Sequence, residues 1–114
     1  MKVSVLKSKI HNATVSSINR DYVGSIRIDK RLVEEAGLVE YEKVLVSNMT
    51  NGERFETYVI LGDEEGVIEV NGAAAVITNR GDRIIIMSFT WLDDGEVSAH
   101  TPKVVVVDDK NKSM

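Results

Sequence analysis

A small, mainly-β barrel is the architecture that this sequence predicts. Its apolar residues come in short alternating or β-branched runs, not in long helical stripes. Two of these runs flank Thr50-Asn51-Gly52, and Asn-Gly is a strong hairpin signal because it tolerates positive φ at both central turn positions. Many short strands with little helix fit a small closed sheet. The 114 residues suit one domain, and 43% hydrophobic with 28% charged residues is ordinary globular usage, which argues against disorder. There is no internal repeat, low-complexity tract or linker, and the single proline is Pro102.

Val3 and Val5 open a first strand, which Ile10 to Val15 continues. Ser25 to Asp29 is a brief strand. Asp29 then caps a helix by accepting from free backbone N–H groups; Leu32, Val33 and Ala36 share its apolar face, and Gly37 stops it. Val44–Val46 and Phe55–Leu61 are the hairpin arms. Val67–Val70, Arg83–Trp91 and Val104–Val107 complete the β set. Ile84-Ile85-Ile86-Met87 lacks alternation and predicts a strand buried on both faces. Asp93 to His100 reads as a second short helix.

Eighteen acidic against fourteen basic residues give a net charge of −4 and a pI near 5.2, the wrong sign for a nucleic-acid binder. Absence of cysteine excludes disulfides, thiol catalysis and cysteine-ligated zinc. The start, MKVSVLKSKI, has no secretory h-region, and no apolar run approaches the roughly 20 residues of a membrane helix. A cytoplasmic protein without membrane or nucleic-acid partners is expected. His11 and His100 lie far apart in sequence, so no metal site is expected. Glu64-Glu65, Asp93-Asp94 and Asp108-Asp109 are read as solvated turns, and the tail from about Asp108 carries no signal. Sequons at Asn12, Asn48 and Asn111 carry no glycosylation meaning without a signal peptide.

Three clusters carry chemistry. Gly24-Ser25 places a hydroxyl beside a carbonyl that no Cβ shields. It is either a flexible entry to a strand or a bond that the serine attacks with the effective concentration of an intramolecular reaction. In Asn51-Gly52-Glu53-Arg54-Phe55-Glu56-Thr57-Tyr58, strand alternation puts Arg54, Glu56 and Tyr58 on one face. The Arg54 and Tyr58 backbones then stand about 13 Å apart, and their side chains either bracket a small anion or serve as surface and packing residues. Arginine offers a planar fork for a carboxylate, and tyrosine a phenolic proton. Val70-Asn71-Gly72-Ala73-Ala74-Ala75 either opens its backbone to a ligand or makes a tight turn into a weak helix.

Together, Ser8-Lys9-Ile10-His11, Tyr22-Val23-Gly24-Ser25, the Asn51–Tyr58 segment and the Val70–Ala75 segment closely resemble the bacterial aspartate α-decarboxylases, in order and in spacing, over essentially the whole chain. The resemblance implies a double-psi β-barrel and a homotetramer with active sites between protomers. It implies an inactive proenzyme in which Ser25 Oγ attacks the Gly24 carbonyl, giving an ester by N→O acyl shift. Elimination then releases a β chain, residues 1–24, and leaves dehydroalanine at position 25; hydrolysis loses ammonia and leaves a covalent pyruvoyl group on the α chain, residues 25–114. The implied reaction converts L-aspartate to β-alanine and CO₂ through a Schiff base, a step of pantothenate and coenzyme A biosynthesis that needs no metal. A ketone that accepts electrons from Cα is what the standard side chains lack.

By the same resemblance Ser25 is the pyruvoyl precursor and Tyr58 the proton donor. Gly24, Ser25 and Thr57 belong to processing. Lys9, Arg54, Thr57, Asn71, Gly72, Ala73 and Ala74 bind substrate, and His11 and Tyr22 are nearby candidates. Alternation leaves Thr57 facing away from Arg54 and Tyr58, which a bulge or an edge between protomers would reconcile. Two other classes compete. An oligonucleotide-binding barrel is disfavoured by the acidic balance and only 5% aromatic residues. An assembly domain without chemistry would keep the Gly24–Ser25 bond.

Overall fold

The computed structural model describes all 114 residues. Eight strands form the body: β1 Lys2–Thr14, β2 Ser17–Asn19, β3 Ser25–Asp29, β4 Lys43–Asn48, β5 Arg54–Gly62, β6 Ile68–Asn71, β7 Arg83–Asp93 and β8 Lys103–Val106. One α-helix, α1 Lys30–Glu35, and two 3₁₀ segments, Gly72–Ile77 and Asp94–Ala99, complete it. The mainly-β expectation holds, and so do the expected strands and the Asp29-capped helix. Asp29 Oδ1 accepts from the Arg31 N–H at 3.0 Å, and Gly37 follows the helix at φ +71°. The second helix is the 3₁₀ segment, closed at its start by reciprocal bonds between Asp93 and Glu96.

Strand order is β2-β6-β3-β5-β4-β7-β1-β8. The first strand of this series, β2, and the next to last, β1, are one run of chain interrupted at Val15–Ser16. Successive N–H groups of an extended chain point to opposite sides. The Val15 N–H accordingly donates to Asp82 O on the β7 side, and the Ser16 N–H to Ile68 O on the β6 side, each at 2.9 Å. Ser16 Oγ strengthens the seam by accepting from the Ile68 N–H at 2.9 Å. A ring of six strands results, with β8 pairing parallel to β1 outside it. Ile10, Ile26, Ile28, Val46, Val59, Ile68, Val70, Ile84 and Ile86 fill the interior with no exposed surface.

Three expectations need correction. The Ile84–Met87 stretch alternates after all: Ile84 and Ile86 are buried, whereas Ile85 and Met87 stay half exposed on the outer face. The β4–β5 connection is longer than a two-residue Asn-Gly turn. Only Gly52 takes positive φ, and Asn48 Oδ1 holds the loop by accepting from the Thr50 N–H at 2.8 Å. The tail beyond Asp108 is part of the fold. Asn111 is buried at φ +61° and makes three bonds across the seam: it accepts from the Thr14 N–H and donates to Thr14 O and Gly66 O, at 2.7, 2.8 and 2.8 Å. All three sequon asparagines have structural work, since Asn48 donates to Asp82 at 2.8 Å and Asn12 accepts from Arg83.

No helix is long and apolar enough to cross a membrane. Replacing Asn111 by alanine removes three bonds and leaves the partly buried Thr14 and Gly66 backbone groups without them. Asn111→Ala is expected to lower the unfolding free energy by about 2–4 kcal/mol, measured by urea denaturation.

Candidate active site

Ser25 opens β3 directly opposite Asn71 of β6. Both are buried, each at 1% exposure. Asn71 Nδ2 donates to Ser25 Oγ at 3.1 Å, while the hydroxyl proton points to Val23 O at a long 3.5 Å. Asn71 Oδ1 has no partner despite its burial. The next residue, Gly72, has φ +72°, and a Cβ there would stand 2.7 Å from Gly24 Cα and 3.3 Å from Tyr22 O. Asn71 and Gly72 therefore form a cradle: one supplies an amide to the serine hydroxyl, and the other lets two backbones touch. The far side of Gly24 is open, with nothing within 4 Å of an added Cβ.

β5 lies on the other side of β3, parallel to it, with Ile26 level with Val59. That register begins at Ile26, and Thr57 and Tyr58 are the two β5 residues that precede Val59. The β4–β5 register runs unbroken from Lys43↔Tyr58 to Ser47↔Arg54, so no bulge turns Thr57 toward Arg54. A shallow cleft beside this strand is lined by Lys43, Glu56, Thr57 and Tyr58.

Other expected site residues lie elsewhere within this chain. Lys9 is level with Met87, Leu45 and Glu56 across the outer face, four strand steps from Ser25 through β7, β4 and β5. Arg54 sits exposed at the far end of β5 and donates only to Gly52 O, at 3.3 Å. His11 lies on β1 beside Val106, its Nδ1 buried without a partner. Tyr22 is half exposed. Ala73 and Ala74 continue from Gly72 in the 3₁₀ segment, Ala73 exposed and Ala74 partly buried against the core. No group of three or more His, Asp or Glu side chains is placed to hold a metal.

Sequence reasoning missed an ionic cluster next to the cradle. Glu69 is level with Arg27 on β3 and Ser17 on β2. Its carboxylate accepts from Ser17 Oγ at 2.9 Å and from Arg27 Nε at 3.4 Å. Burial pushes this carboxyl up, but those bonds outweigh it and hold it below the usual carboxylate range. The matching guanidinium is raised: burial works against it, and bonds to Glu69 and Glu64 prevail. A signal for the pair was present, since Arg27 and Glu69 each interrupt an apolar strand at the outward position.

A β-barrel that buries a glycine-preceded serine against an asparagine amide defines a class of small site built from main chain and neutral side chains. The family model for aspartate decarboxylase matches residues 1–114, and the chain belongs to that family. It is 56% identical over 113 residues to the aspartate 1-decarboxylase of Caldicellulosiruptor saccharolyticus, covering 98% of this chain and 88% of the relative. Identity to the aspartate 1-decarboxylase of Clostridium botulinum is 53% over 112 residues, covering 97% and 88%. For that of Campylobacter jejuni subsp. jejuni it is 50% over 111 residues, again covering 97% and 88%. Membership makes the chain a carboxy-lyase, and a double-psi barrel agrees with both the family and the mainly-β ring.

The two glycines of the site should respond oppositely to an added methyl. Gly72→Ala forces a left-handed alanine against Gly24 and is expected to cost about 2 kcal/mol or more. Gly24→Ala meets open space and should stay within about 0.5 kcal/mol of the wild type. Thermal melts of the two variants check this.

Proposed function

We propose that this chain decarboxylates L-aspartate to β-alanine and CO₂ using a pyruvoyl group that it makes from Ser25, after cutting its own Gly24–Ser25 bond. The observation that carries the reading is the cradle: a buried hydroxyl fixed by Asn71 at 3.1 Å, next to a glycine pressed on Gly72. Family membership supports the substrate. In processing, Ser25 Oγ bonds to the Gly24 carbonyl carbon as the Gly24–Ser25 C–N bond breaks, and the hydroxyl proton passes to the serine nitrogen, which becomes a free amine. β-Elimination from the ester releases the Gly24 carboxylate. Water then replaces the nitrogen of the dehydroalanine, which leaves as ammonia. The fit is good, because the site is small, screened from solvent at Ser25 and open on the Gly24 side.

When formed, the group supplies a ketone that draws electrons from the substrate Cα as CO₂ departs. The chain's own residues bind, orient and protonate. Tyr58, on the β5 strand that pairs with β3, delivers the proton to Cα from its phenol oxygen. Thr57, next to Tyr58 on β5, holds the Gly24 carbonyl during cleavage. Asn71, Gly72, Ala73 and Ala74 line the pocket with amide and backbone groups. Arg54 holds a substrate carboxylate as a planar fork, with Lys9 assisting; His11 and Tyr22 flank the site.

Lys9, on β1, and Arg54, at the start of β5, do not contact Ser25 of their own chain, and in this reading they complete the site of a neighbour. The outer face that bears Lys9 supports this reading. Phe89, Trp91, Val104 and Val106 are exposed there at 48%, 67%, 52% and 42%, a large apolar surface for a free monomer. A cytoplasmic homotetramer that feeds pantothenate and coenzyme A synthesis follows, with the outer faces of its barrels packed together.

Intact-mass analysis of the purified protein tests the reading. Two fragments are expected, residues 1–24 and 25–114, the larger blocked by pyruvoyl. Ser25→Ala should remain one chain and make no β-alanine; a wild type that stays uncut and ketone-free yet makes β-alanine overturns the proposal. Tyr58→Phe should be cut normally while kcat falls about a hundredfold or more; full turnover would remove Tyr58 from proton transfer.

A further inference from the structure

We propose that Asn19 is a positioning residue for cleavage at Gly24–Ser25: its side chain folds the strap of residues 20–24 into a turn and so fixes the peptide that Ser25 attacks. The inference rests on the self-processing reading above. β6 lies between β2 and β3, and Asn71 is level with Asn19 on one side and with Ser25 on the other. The strap therefore crosses the end of β6 and spans only two strand spacings, about 10 Å. Six Cα steps could reach about 20 Å, so half of that length has to be folded away. Two bonds at Asn19 fold it. The side-chain Oδ1 accepts from the Asp21 N–H at 3.2 Å, and the main-chain O accepts from the Tyr22 N–H at 3.4 Å. A side-chain oxygen that accepts from the N–H two residues on is the turn that Asn and Asp make best.

What remains of the strap lies directly on Gly72. A Cβ there would stand 2.7 Å from Gly24 Cα, 3.0 Å from Gly24 N and 3.3 Å from Tyr22 O. The strap also carries Val23 O, the carbonyl toward which Ser25 Oγ directs its proton at 3.5 Å. Residues 22–24 are thus pinned by the turn at one end, by Gly72 beneath and by Ser25 at the other end. Attack needs the Gly24 carbonyl carbon turned toward Oγ, and its rate follows the fraction of time that the peptide holds that orientation. Without the Asn19 acceptor the Asp21 N–H turns to water and the turn opens. The slack then passes to Val23 and Gly24, which has open space on its far side. Asn19 is itself exposed, forms and breaks no bond in the step and acts only through the strap.

The test follows cleavage of freshly purified full chain by intact mass in wild type, Asn19→Asp, Asn19→Ser and Asn19→Ala. Aspartate keeps an acceptor of the same reach and should cut at the wild-type rate. Alanine has no acceptor and should slow cleavage about tenfold, the factor that about 1.4 kcal/mol is worth. Serine makes the same turn more weakly and should fall between the two. Once the bond is cut the strap no longer joins Ser25, so kcat per cut chain should equal that of the wild type in every variant. In the uncut Ser25→Ala background, the Asp21 backbone amide should exchange with solvent faster in Asn19→Ala than in Asn19→Asp. Cleavage at the wild-type rate in Asn19→Ala, or equal slowing by Asn19→Asp and Asn19→Ala, overturns the inference alone. So does a loss of kcat per cut chain that matches the loss of cleavage, because a merely structural role would move both. If Asn19→Ala does not fold, Asn19→Asp and Asn19→Ser decide, and equal rates for these two overturn the inference. A wild type that never cuts overturns the self-processing reading and this inference with it.

Discussion

Pairing of β3 with β6 at Ser25 and Asn71 is the contact on which the site depends. It buries a hydroxyl, gives that hydroxyl a single amide partner and brings Gly72 against Gly24. Burial of a polar group costs free energy unless it is hydrogen-bonded, and here the compensation is partial. Oγ has one good bond and one long one, and Asn71 Oδ1 has none. An incompletely satisfied cluster in an otherwise well-filled barrel is the pattern expected where function competes with stability.

Barrel closure is what permits that pairing. β3 sits between β5 and β6, and β6 is held in place because the chain at Val15–Ser16 crosses from β7 to β6. Asn111 then locks the same seam from the far end of the chain, tying Thr14 to the turn at Gly66. Residues more than ninety positions apart therefore share one mechanical task. The site itself is electrically neutral, and its nearest charges, Glu69 and Arg27, neutralise each other one pleat away.

The outer sheet face has the opposite character. Apolar side chains stand there in the open among Lys9, Lys43 and Glu56, on the side that the interior does not need. Such a face costs solubility in isolation and gains apolar burial in an assembly. The assembly proposed above would use this face and would bring the cations of one chain to the serine of the next.

Local signals alone determined much of this molecule. β-branched alternation marked nearly every strand, Asp29 and Gly37 bounded the helix, and Gly24-Ser25, Thr57-Tyr58 and Asn71-Gly72 stood out as chemistry-bearing pairs. These were legible because strand periodicity, capping and glycine conformation act between near neighbours in sequence. β2 was too short to show a period. The tail's anchor, Asn111, was one polar residue among several, and its burial depends on Thr14 and Gly66, far away in sequence. The outer half of the Ile84–Met87 run looked buried because apolar residues read alike whether they face a core or an exposed sheet. Only the tertiary structure decided that Ser25 meets Asn71 and that Gly72 presses on Gly24, because strand order and register are set by the closure of the whole ring.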